Sequence, residues 1–240
     1  MAPSGKHNVL AVIPARYAST RFPGKPLVDI HGQSMIERVW RQVQKSPVIS
    51  KTIIATDDAR IEEAALAFGA DVVMTSSHHP SGTDRMWEVA QQYPAYNLVF
   101  NIQGDEPFLD PETLTRAVET MYKNPDASIV TAVTPISATG ELDNPNCVKA
   151  LLAPNGQALD FSRSPFTGSA PLRHLGLYLY QRHALEQFTK LPPSGREQSE
   201  RLEQLRAVEA GITIHAIHVE KAPVGVDTPE DLETLRALFK

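Results

Sequence analysis

One short loop holds three cations, Arg16, Arg21 and Lys25, and it is the part of this 240-residue sequence that most directly indicates chemistry. The apolar, β-branched run at residues 9–13 comes just before it and is typical of a strand buried on both faces of a parallel sheet. Open α/β sheets bind ligands beyond the carboxyl ends of their strands. The loop is therefore predicted to bind phosphates, with Arg16 contacting two oxygens and Lys25 acting as a point charge.

The residues themselves exclude two common phosphate-binding loops. A P-loop requires Ser or Thr after its Gly-Lys pair, but Lys25 is followed by Pro26. The Gly-x-Gly-x-x-Gly pattern of dinucleotide-binding folds is also absent. An ordinary solvated loop is the alternative, but the position after the first strand and the rigid Pro23 and Pro26 favour a phosphate site.

Further polar segments are predicted at strand ends, and together with the first loop they outline one cleft. Asp105 and Asp227 are hard oxygen ligands, and magnesium typically takes one or two carboxylates plus substrate phosphates. This pattern suits a nucleotide with its metal ion. The alternatives are that Asp105 serves only its turn and that Asp227 only caps the following helix. The segments are residues 81–85, 103–105 and 225–229.

Three single residues are candidates for ligand contacts, each with a plainer alternative. Gln103 offers a donor and an acceptor and is therefore able to read the edge of a base, unless it is a core glutamine bonded to backbone. Gly82 would let the backbone approach a base or ribose, or it simply begins a helix. His174 lies with Arg173 and Tyr178 and would hold a polar second substrate, or it is a strand histidine with its hydrogen bonds satisfied.

Composition limits the classes of function. The formal net charge is -5 and the pI is about 5.9, so we expect a small anionic ligand and no nucleic-acid or membrane partner. Cys147 is the only cysteine, which excludes an intrachain disulfide and fits the reducing cytoplasm. We expect no signal peptide and no membrane span, because no apolar run approaches the roughly 18 residues that a spanning helix needs.

Strand and helix patterns alternate through the first half of the chain, which predicts βαβ units and a mostly parallel sheet. Pro14 is expected to end the first strand. Ser34 and Glu37 form a capping box before one helix, and Asp58 caps the next.

The second half of the chain has a different pattern. Asn155 and Gly156 join two apolar segments and form the strongest short hairpin signal, which predicts a small antiparallel lobe at about 145–180. We expect this lobe within a single domain of residues 1–240. Residues 197–210 are predicted to form one helix.

Eight motifs follow one another along the chain: IPAR at 13–16, GKPL at 24–27, SGTDR at 81–85, QGDEP at 103–107, FSR at 161–163, RHLG at 173–176, LEQLR at 202–206 and GVDTP at 225–229. In this order they resemble the motifs of the 3-deoxy-manno-octulosonate (Kdo) cytidylyltransferases, the CMP-Kdo synthetases. The resemblance spans nearly the whole chain; its first motif is shared with other sugar nucleotidyltransferases, whereas the ordered set is highly specific. Residues 164–172 depart from the family pattern, being shorter and lacking its tryptophan, so we expect differences there in the sugar site and subunit contact.

The resemblance implies a fold and a reaction. The fold would be α/β, a doubly wound and mostly parallel sheet of the nucleotide-diphospho-sugar transferase type with the small antiparallel lobe. The activity would be transfer of CMP from CTP to the anomeric hydroxyl of Kdo, with release of pyrophosphate, for lipopolysaccharide biosynthesis. A homodimer is implied by the family alone.

The resemblance also implies residue roles. Arg16 and Lys25 would neutralise the triphosphate, each well-placed donor contributing about 3 to 4 kcal/mol, and Asp105 and Asp227 would hold Mg²⁺; these four are the expected catalytic residues. The CTP site would comprise Pro14, Ala15, Arg16, Lys25, Ser81, Gly82, Arg85 and Gln103. The Kdo site would comprise Arg163, His174, Tyr178, Glu203 and Gln204.

Two alternatives stay open. A cytidylyltransferase for another acidic sugar, 8-amino-Kdo or a sialic acid, would keep the CTP half and change the sugar half; Glu203 and Gln204 favour Kdo without excluding the amino sugar. A non-catalytic nucleotide-binding regulator would be expected to lack a metal carboxylate, and both Asp105 and Asp227 are present.

Overall fold

A computed structural model describes residues 8–18, 22–136, 140–167 and 172–238. Arg21 and residues 168–171 were part of the predictions made from the sequence. They lie outside the described residues. The chain divides into two compact units: unit 1 comprises residues 1–115 and 223–240, and unit 2 comprises residues 116–222. The lobe expected at 145–180 falls within unit 2, and its treatment as part of one domain stays a prediction.

Unit 1 contains a parallel sheet. Strands β6, β1, β4 and β5 lie side by side in that order, and each neighbouring pair is parallel. A single 3-10 turn, Lys25–Leu27, follows the first strand. The other elements, in chain order, are β1 (Val9–Ala15), β2 (Asp29–Ile30), β3 (Gln33–Ser34), α1 (Met35–Gln44), β4 (Lys51–Thr56), α2 (Ala59–Ala67), β5 (Asp71–Met74), α3 (Gly82–Gln92), β6 (Leu98–Asn101) and α4 (Pro111–Lys123), the last of which continues into unit 2.

Strand β1 lies at the centre of this sheet, and it is longer than predicted. The expectation that Pro14 ends it is wrong, since the strand runs to Ala15. Val12 faces β6, because its carbonyl accepts from the Ile102 amide, and Pro14 faces the same side two residues later. Strand β6 has already ended there, at Asn101. The amide hydrogen that proline lacks is therefore not needed.

The helix starts predicted from capping residues are confirmed. The Ser34 hydroxyl accepts from the Glu37 amide at 3.3 Å, before α1. The Asp58 carboxylate accepts from the Arg60 amide at 3.0 Å, before α2. Each cap satisfies an amide that has no partner inside its helix, and so fixes where the chain turns after a loop or strand.

Unit 2 contains a mixed sheet. Strand β7 pairs with β11 in parallel and with β10 antiparallel. The predicted hairpin is confirmed, because β8 and β9 are antiparallel and Gly156 has the positive φ of 86° that the turn requires. The elements are β7 (Ile129–Pro135), β8 (Lys149–Leu152), β9 (Ala158–Ser162), β10 (Leu172–Gln181), α5 (Arg182–Lys190), α6 (Gly195–Glu200), α7 (Gln204–Glu209) and β11 (Ile214–His218).

The single helix predicted at 197–210 is wrong, because two short helices, α6 and α7, replace it. Arg201 ends α6 in the left-handed conformation, with φ of 56°. The guanidinium of Arg163 donates to the carbonyl oxygens of Glu200 at 2.6 Å and of Arg201 at 3.3 Å. These bonds satisfy carbonyls that a continuous helix would have used, and so they stabilise the break.

Strand β10 contains a bulge that changes where its side chains point. Its register with β7 shifts between Leu175 and Tyr178, where Gly176 and Leu177 are extra residues. The hydroxyl of Thr131 lies 2.8 Å from the Leu177 carbonyl and 3.3 Å from the Leu175 carbonyl, so it ties the bulge to β7. Bulges of this kind redirect side chains and are common beside active sites.

After unit 2 the chain returns to unit 1 and forms α8 (Pro229–Leu238). Val226, Leu232 and Leu235 pack with Ile30 and Met35 in one cluster whose members are at most 5% exposed. This packing holds residues 223–238 on unit 1. No helix in the described part of the chain is both long and apolar enough to cross a membrane.

Candidate active site

The loops that follow β1, β4, β5 and β6 all leave the same edge of the unit 1 sheet, because these neighbouring strands are parallel. This edge is the usual ligand-binding position of an α/β sheet. The polar residues that the sequence placed at strand ends therefore share one edge in unit 1.

Lys25 brings the two predicted metal carboxylates together. Its Nζ donates to Asp105 Oδ2 at 2.7 Å and to Asp227 Oδ1 at 3.3 Å. The third hydrogen goes to the Val226 carbonyl at 2.9 Å. Three of the four predicted catalytic side chains thus meet at one nitrogen, although they come from widely separated parts of the chain.

Close backbone contacts hold the two carboxylates in place. A Cβ at position 104 would lie 3.1 Å from the Pro14 carbonyl oxygen, a tight contact that glycine avoids where this turn lies against the end of β1. The Val226 amide donates to the Asp105 carbonyl at 3.0 Å. Because of this bond, the segment that carries Asp227 lies directly beside the turn that carries Asp105.

Thr228 and Asp231 make reciprocal hydrogen bonds at the start of α8. The Asp231 carboxylate accepts from the Asp227 and Thr228 amides, each at 2.9 Å. The Thr228 hydroxyl accepts in return from the Asp231 amide at 3.2 Å. Thr228 and Asp231 therefore form the cap, and the Asp227 carboxylate reaches Lys25.

Arg16 lies at the end of β1 and spans to the loop before α3. Its Nη2 donates to the carbonyl oxygens of His79 at 2.7 Å and Ser81 at 3.2 Å. These two bonds use both hydrogens of Nη2. Within the described residues no hydrogen bond engages Nε or Nη1 of Arg16. A guanidinium whose N–H groups can contact two oxygens suits phosphate binding.

Ser81 and Gly82 form the start of α3. The Ser81 hydroxyl caps the helix, accepting from the Asp84 amide at 3.1 Å, and it also donates to the Asp84 carboxylate at 2.7 Å. A Cβ on Gly82 would meet Pro14 and Asn101 only at ordinary contact distances of 3.7 to 4.0 Å. The protein itself therefore does not require glycine at 82, and close approach of a ligand remains a reason for it.

Arg85 is fully buried in α3. Burial lowers the pKa of its guanidinium, and the Asp57 carboxylate, 3.2 Å from Nη2, opposes this shift. Nη1 donates to the Thr75 hydroxyl, whereas Nε has no hydrogen-bond partner among the described residues. A buried donor without a partner is costly, so this nitrogen points to a ligand.

The remaining residues of the predicted CTP site lie at the same edge. Pro14 and Ala15 are the last residues of β1, and Ala15 is buried. Gln103 follows β6 by two residues and is half-buried. The structure thus places all eight predicted CTP residues in unit 1.

The five predicted sugar residues lie in unit 2, and the bulge in β10 brings two of them together. In a regular strand His174 and Tyr178 would be about 13 Å apart, but their ring centroids are separated by 5.5 Å. Phe161 packs edge-on against His174 at 4.8 Å.

His174 is neutral at neutral pH, because burial lowers its pKa to about 3. Its Nε2 lies 2.9 Å from the Thr131 hydroxyl. That hydroxyl has a single hydrogen, which the carbonyls of the bulge take, so Nε2 donates and Nδ1 is left as an acceptor. His174 would therefore offer a sugar a directional bond without charge, and its contact with the sugar stays a prediction.

Glu203 lies near enough to Tyr178 to act on its ionisation. Burial raises the pKa of Tyr178 well above its ordinary value, and Tyr180 and the Glu203 carboxylate contribute in the same direction. Gln204 is 6% exposed, and its Nε2 has no hydrogen-bond partner among the described residues. A buried amide without a partner among the described residues favours a polar ligand there.

Arg163 has a structural task. Besides its bonds to the break after α6, its Nη1 donates to the Pro145 carbonyl at 2.8 Å. Each of its three nitrogens thus already donates to a carbonyl, and a role in sugar binding stays a prediction.

Several residues that hold the predicted site residues in place were not predicted from the sequence. Asp57 follows β4 and pairs with Arg85, and its position after a strand was an available signal. Asp231 caps α8. Glu88 and His79 contact each other beside the loop that Arg16 binds, and no local pattern marked this pair.

Comparison with known proteins agrees with this geometry. The cytidylyltransferase family model matches residues 10–214. A 3-deoxy-manno-octulosonate cytidylyltransferase of Leptospira interrogans serovar Lai is 47% identical over 237 residues, covering 97% of this chain and 96% of the relative. One of Pseudomonas syringae pv. tomato is 44% identical over 247 residues, covering 95% and 97%.

The chain belongs to the 3-deoxy-manno-octulosonate cytidylyltransferase family. A solved structure of CMP:2-keto-3-deoxy-manno-octonic acid synthetase complexed with CTP matches with a TM-score of 0.92 and 41% identity, over 96% of this chain and 97% of that one. The 4-diphosphocytidyl-2C-methyl-D-erythritol synthase of Anaerococcus prevotii shares the fold at a TM-score of 0.66 and 13% identity. The predicted α/β nucleotidyltransferase fold of this cytidylyltransferase is thereby confirmed.

Proposed function

We propose that this cytidylyltransferase transfers CMP from CTP to the anomeric hydroxyl of Kdo. The anomeric hydroxyl loses its proton to solvent as its oxygen forms a bond to the α-phosphorus, the bond from that phosphorus to the bridging oxygen breaks, and pyrophosphate leaves. The convergence of Lys25, Asp105 and Asp227 at one sheet edge is the observation that carries the proposal. The names and identities of the relatives support the choice of CTP and Kdo.

The residues of unit 1 would bind CTP. The guanidinium of Arg16 and the ammonium of Lys25 would bind the phosphate oxygens, where negative charge grows as pyrophosphate leaves. The buried Nε of Arg85 and the half-buried Gln103 would donate to the base, and Gly82 leaves room for it. No covalent enzyme intermediate is needed for this reaction.

Magnesium is proposed as the cofactor, and the donor set fits it. Two carboxylates contact the same cationic nitrogen, so their oxygens are directed to one point. No group of three or more metal-ligating side chains occurs among the described residues. Asp105 and Asp227 would hold the ion together with substrate phosphates, which is the usual magnesium arrangement. Bound there, magnesium would polarise the phosphate oxygens.

The residues of unit 2 would bind the sugar. Glu203 and Gln204 would bond to hydroxyls, and the unsatisfied amide of Gln204 supports this role. His174 and Tyr178 would line the sugar through the contact that the β10 bulge creates. Since Arg163 already donates to three carbonyls, it would act mainly by holding the segment that leads to Glu203.

Three further proposals concern the setting of the reaction. The product would serve lipopolysaccharide biosynthesis, and the enzyme would work as a homodimer; both follow from the family resemblance alone. A cytoplasmic location is supported by the buried, unpaired thiol of Cys147, which suits a reducing compartment.

The decisive experiment is a coupled pyrophosphate-release assay with CTP, magnesium and a panel of acidic sugars. We expect turnover with Kdo to exceed turnover with 8-amino-Kdo and with a sialic acid. Faster turnover with either of those sugars would assign the chain to that sugar instead. Absence of pyrophosphate release with every sugar, in a protein that still binds CTP, would favour the non-catalytic regulator.

A further inference from the structure

The loop at residues 75–81 joins β5 to α3 and carries the two carbonyls that bind Arg16. Its residues 76–78 and 80 are exposed, and none of the loop has regular structure. Such segments adopt many conformations unless other contacts restrain them. The position of the Arg16 guanidinium therefore depends on the conformation of this loop.

Glu88 restrains the loop from the second turn of α3. Its Oε2 accepts from the Ser76 amide at 3.1 Å and contacts Nε2 of His79. Ser81, Asp84 and Glu88 are spaced three and four residues apart, so they share one face of the helix start. The loop is thus tied to that face near its beginning, through Ser76, and near its end, through His79.

These bonds are charge-assisted. Burial acts to raise the pKa of Glu88, but the hydrogen bonds from His79 and from the Ser76 amide outweigh it, and the pKa lies below its ordinary value. An ionised carboxylate only accepts hydrogen bonds, so His79 Nε2 carries a hydrogen and donates it. Hydrogen bonds to a charged group are roughly twice as strong as neutral ones.

His79 connects Glu88 to Arg16. Its ring is held by Glu88, and its own carbonyl accepts from Arg16 Nη2 at 2.7 Å. We propose that Glu88 is a positioning residue for Arg16, acting through His79, and that it thereby sets the affinity of the enzyme for a nucleoside triphosphate. This inference rests on the proposed binding of phosphates by Arg16.

The test is a double-mutant cycle between Glu88 and Arg16, read by calorimetric titration with CTP and with CMP. Glu88→Gln keeps the shape and removes the charge. We expect it to weaken CTP binding about fivefold or more, to change CMP binding little, and to have no further effect when Arg16 is already Ala. His79→Asn, which removes the ring but keeps the carbonyl, should behave in the same way and serves if Glu88→Gln fails to fold.

Glu119→Gln is the matched control, because Glu119 is an exposed glutamate paired with Lys123 at the surface. It should leave both affinities unchanged. Equal losses for CTP and CMP, or losses from Glu88→Gln and Arg16→Ala that add, would overturn the inference and leave Glu88 a purely structural role. If Arg16→Ala itself leaves CTP affinity unchanged, both the inference and the proposed phosphate role of Arg16 fail.

Discussion

At the scale of single residues, Lys25 holds the carboxylates of the site together when no ligand is bound. Its ammonium has three hydrogens and meets three protein acceptors, the carboxylates of Asp105 and Asp227 and the carbonyl of Val226. A triphosphate that contacts this nitrogen must therefore take a hydrogen from one of them. The same charge reduces the repulsion between the two carboxylates.

Replacing Lys25 by Ala should weaken binding of CTP far more than binding of CMP or cytidine, since only CTP has the outer phosphates that a point charge would hold. Calorimetric titration with all three ligands measures this. Lys51→Ala is the control, because Lys51 is a lysine of the same unit paired with Asp71 at the surface. An equal loss for all three ligands would give Lys25 a structural role.

Asp105→Asn and Asp227→Asn should each abolish turnover and leave the fold intact, because each removes a charged ligand with little change of shape. Rates are measured by pyrophosphate release at saturating magnesium, and folding by thermal unfolding. Asp71→Asn, at an exposed ion pair of the same unit, should keep its activity. A variant that retains more than about a tenth of the wild-type rate loses less than about 1.4 kcal/mol of barrier stabilisation, and its carboxylate is then not a metal ligand.

At the scale of elements, the short helices α6 and α7 depend on one buried ion pair. Glu197 accepts from Arg206 Nε at 2.8 Å and from its Nη2 at 2.5 Å. Glu197 also completes the capping box with Ser194. The Arg206 guanidinium lies over the Phe188 ring, 4.6 Å from its centroid. Two helices of six residues each are thereby held by tertiary contacts rather than by their own propensity.

Glu197→Gln should lower the free energy of unfolding by about 3 kcal/mol at neutral pH, because it removes the charged carboxylate that accepts two hydrogen bonds from the buried Arg206. Burial acts to raise the pKa of Glu197, but the bonds from Arg206 and Ser194 outweigh it, and the pKa is lowered. Its stabilisation is therefore complete above the unfolded pKa and is lost as pH falls through the folded one. The difference between wild type and variant should shrink in acid.

Urea unfolding of both proteins at a series of pH values measures that difference. Glu186→Gln, at an exposed pair with Lys190 on α5, is the control and should show no measurable change. A difference between wild type and Glu197→Gln that is independent of pH would contradict an ionised, paired Glu197.

The elements also show where sequence reasoning reaches its limit. The caps Ser34 and Asp58 were predictable because each bonds to an amide two or three residues away. The break after α6 was not, since it depends on Arg163, which lies 37 residues from Glu200. The meeting of Lys25 with Asp105 followed from their positions after parallel strands, whereas the role of Glu88 depends on the path of a loop that no local pattern specifies.

At the scale of the whole molecule, residues 223–238 complete unit 1 after the chain has formed unit 2. They supply Val226, Leu232 and Leu235 to the apolar cluster with Ile30 and Met35. They also supply Asp227 to the site. Stability of unit 1 and the geometry of its carboxylates are therefore set by the same packing.

Leu235→Ala should destabilise the protein by about 2 to 5 kcal/mol, because Leu235 is fully buried and a cavity would remain. The same variant should lose turnover as the Asp227 segment loosens. Leu238→Ala is the matched control on the same helix, since Leu238 is 63% exposed and its loss should cost less than about 0.5 kcal/mol. Denaturant unfolding and the pyrophosphate assay measure the two effects, and equal behaviour of both variants would show that this cluster does not support the site.

The return of residues 223–238 to unit 1 has a consequence for synthesis of the chain on a ribosome. Lys25 leaves the ribosome before unit 2 is translated. Val226, to whose carbonyl Lys25 donates, lies 201 residues later. Until then the faces of Ile30 and Met35 that pack on α8 have no cover, and the carboxylate of Asp105 lacks the neighbouring Asp227. The nascent chain therefore exposes this apolar surface while unit 2 is translated, a surface of the kind that chaperones bind. It gains the pair of carboxylates only after unit 2 has been made.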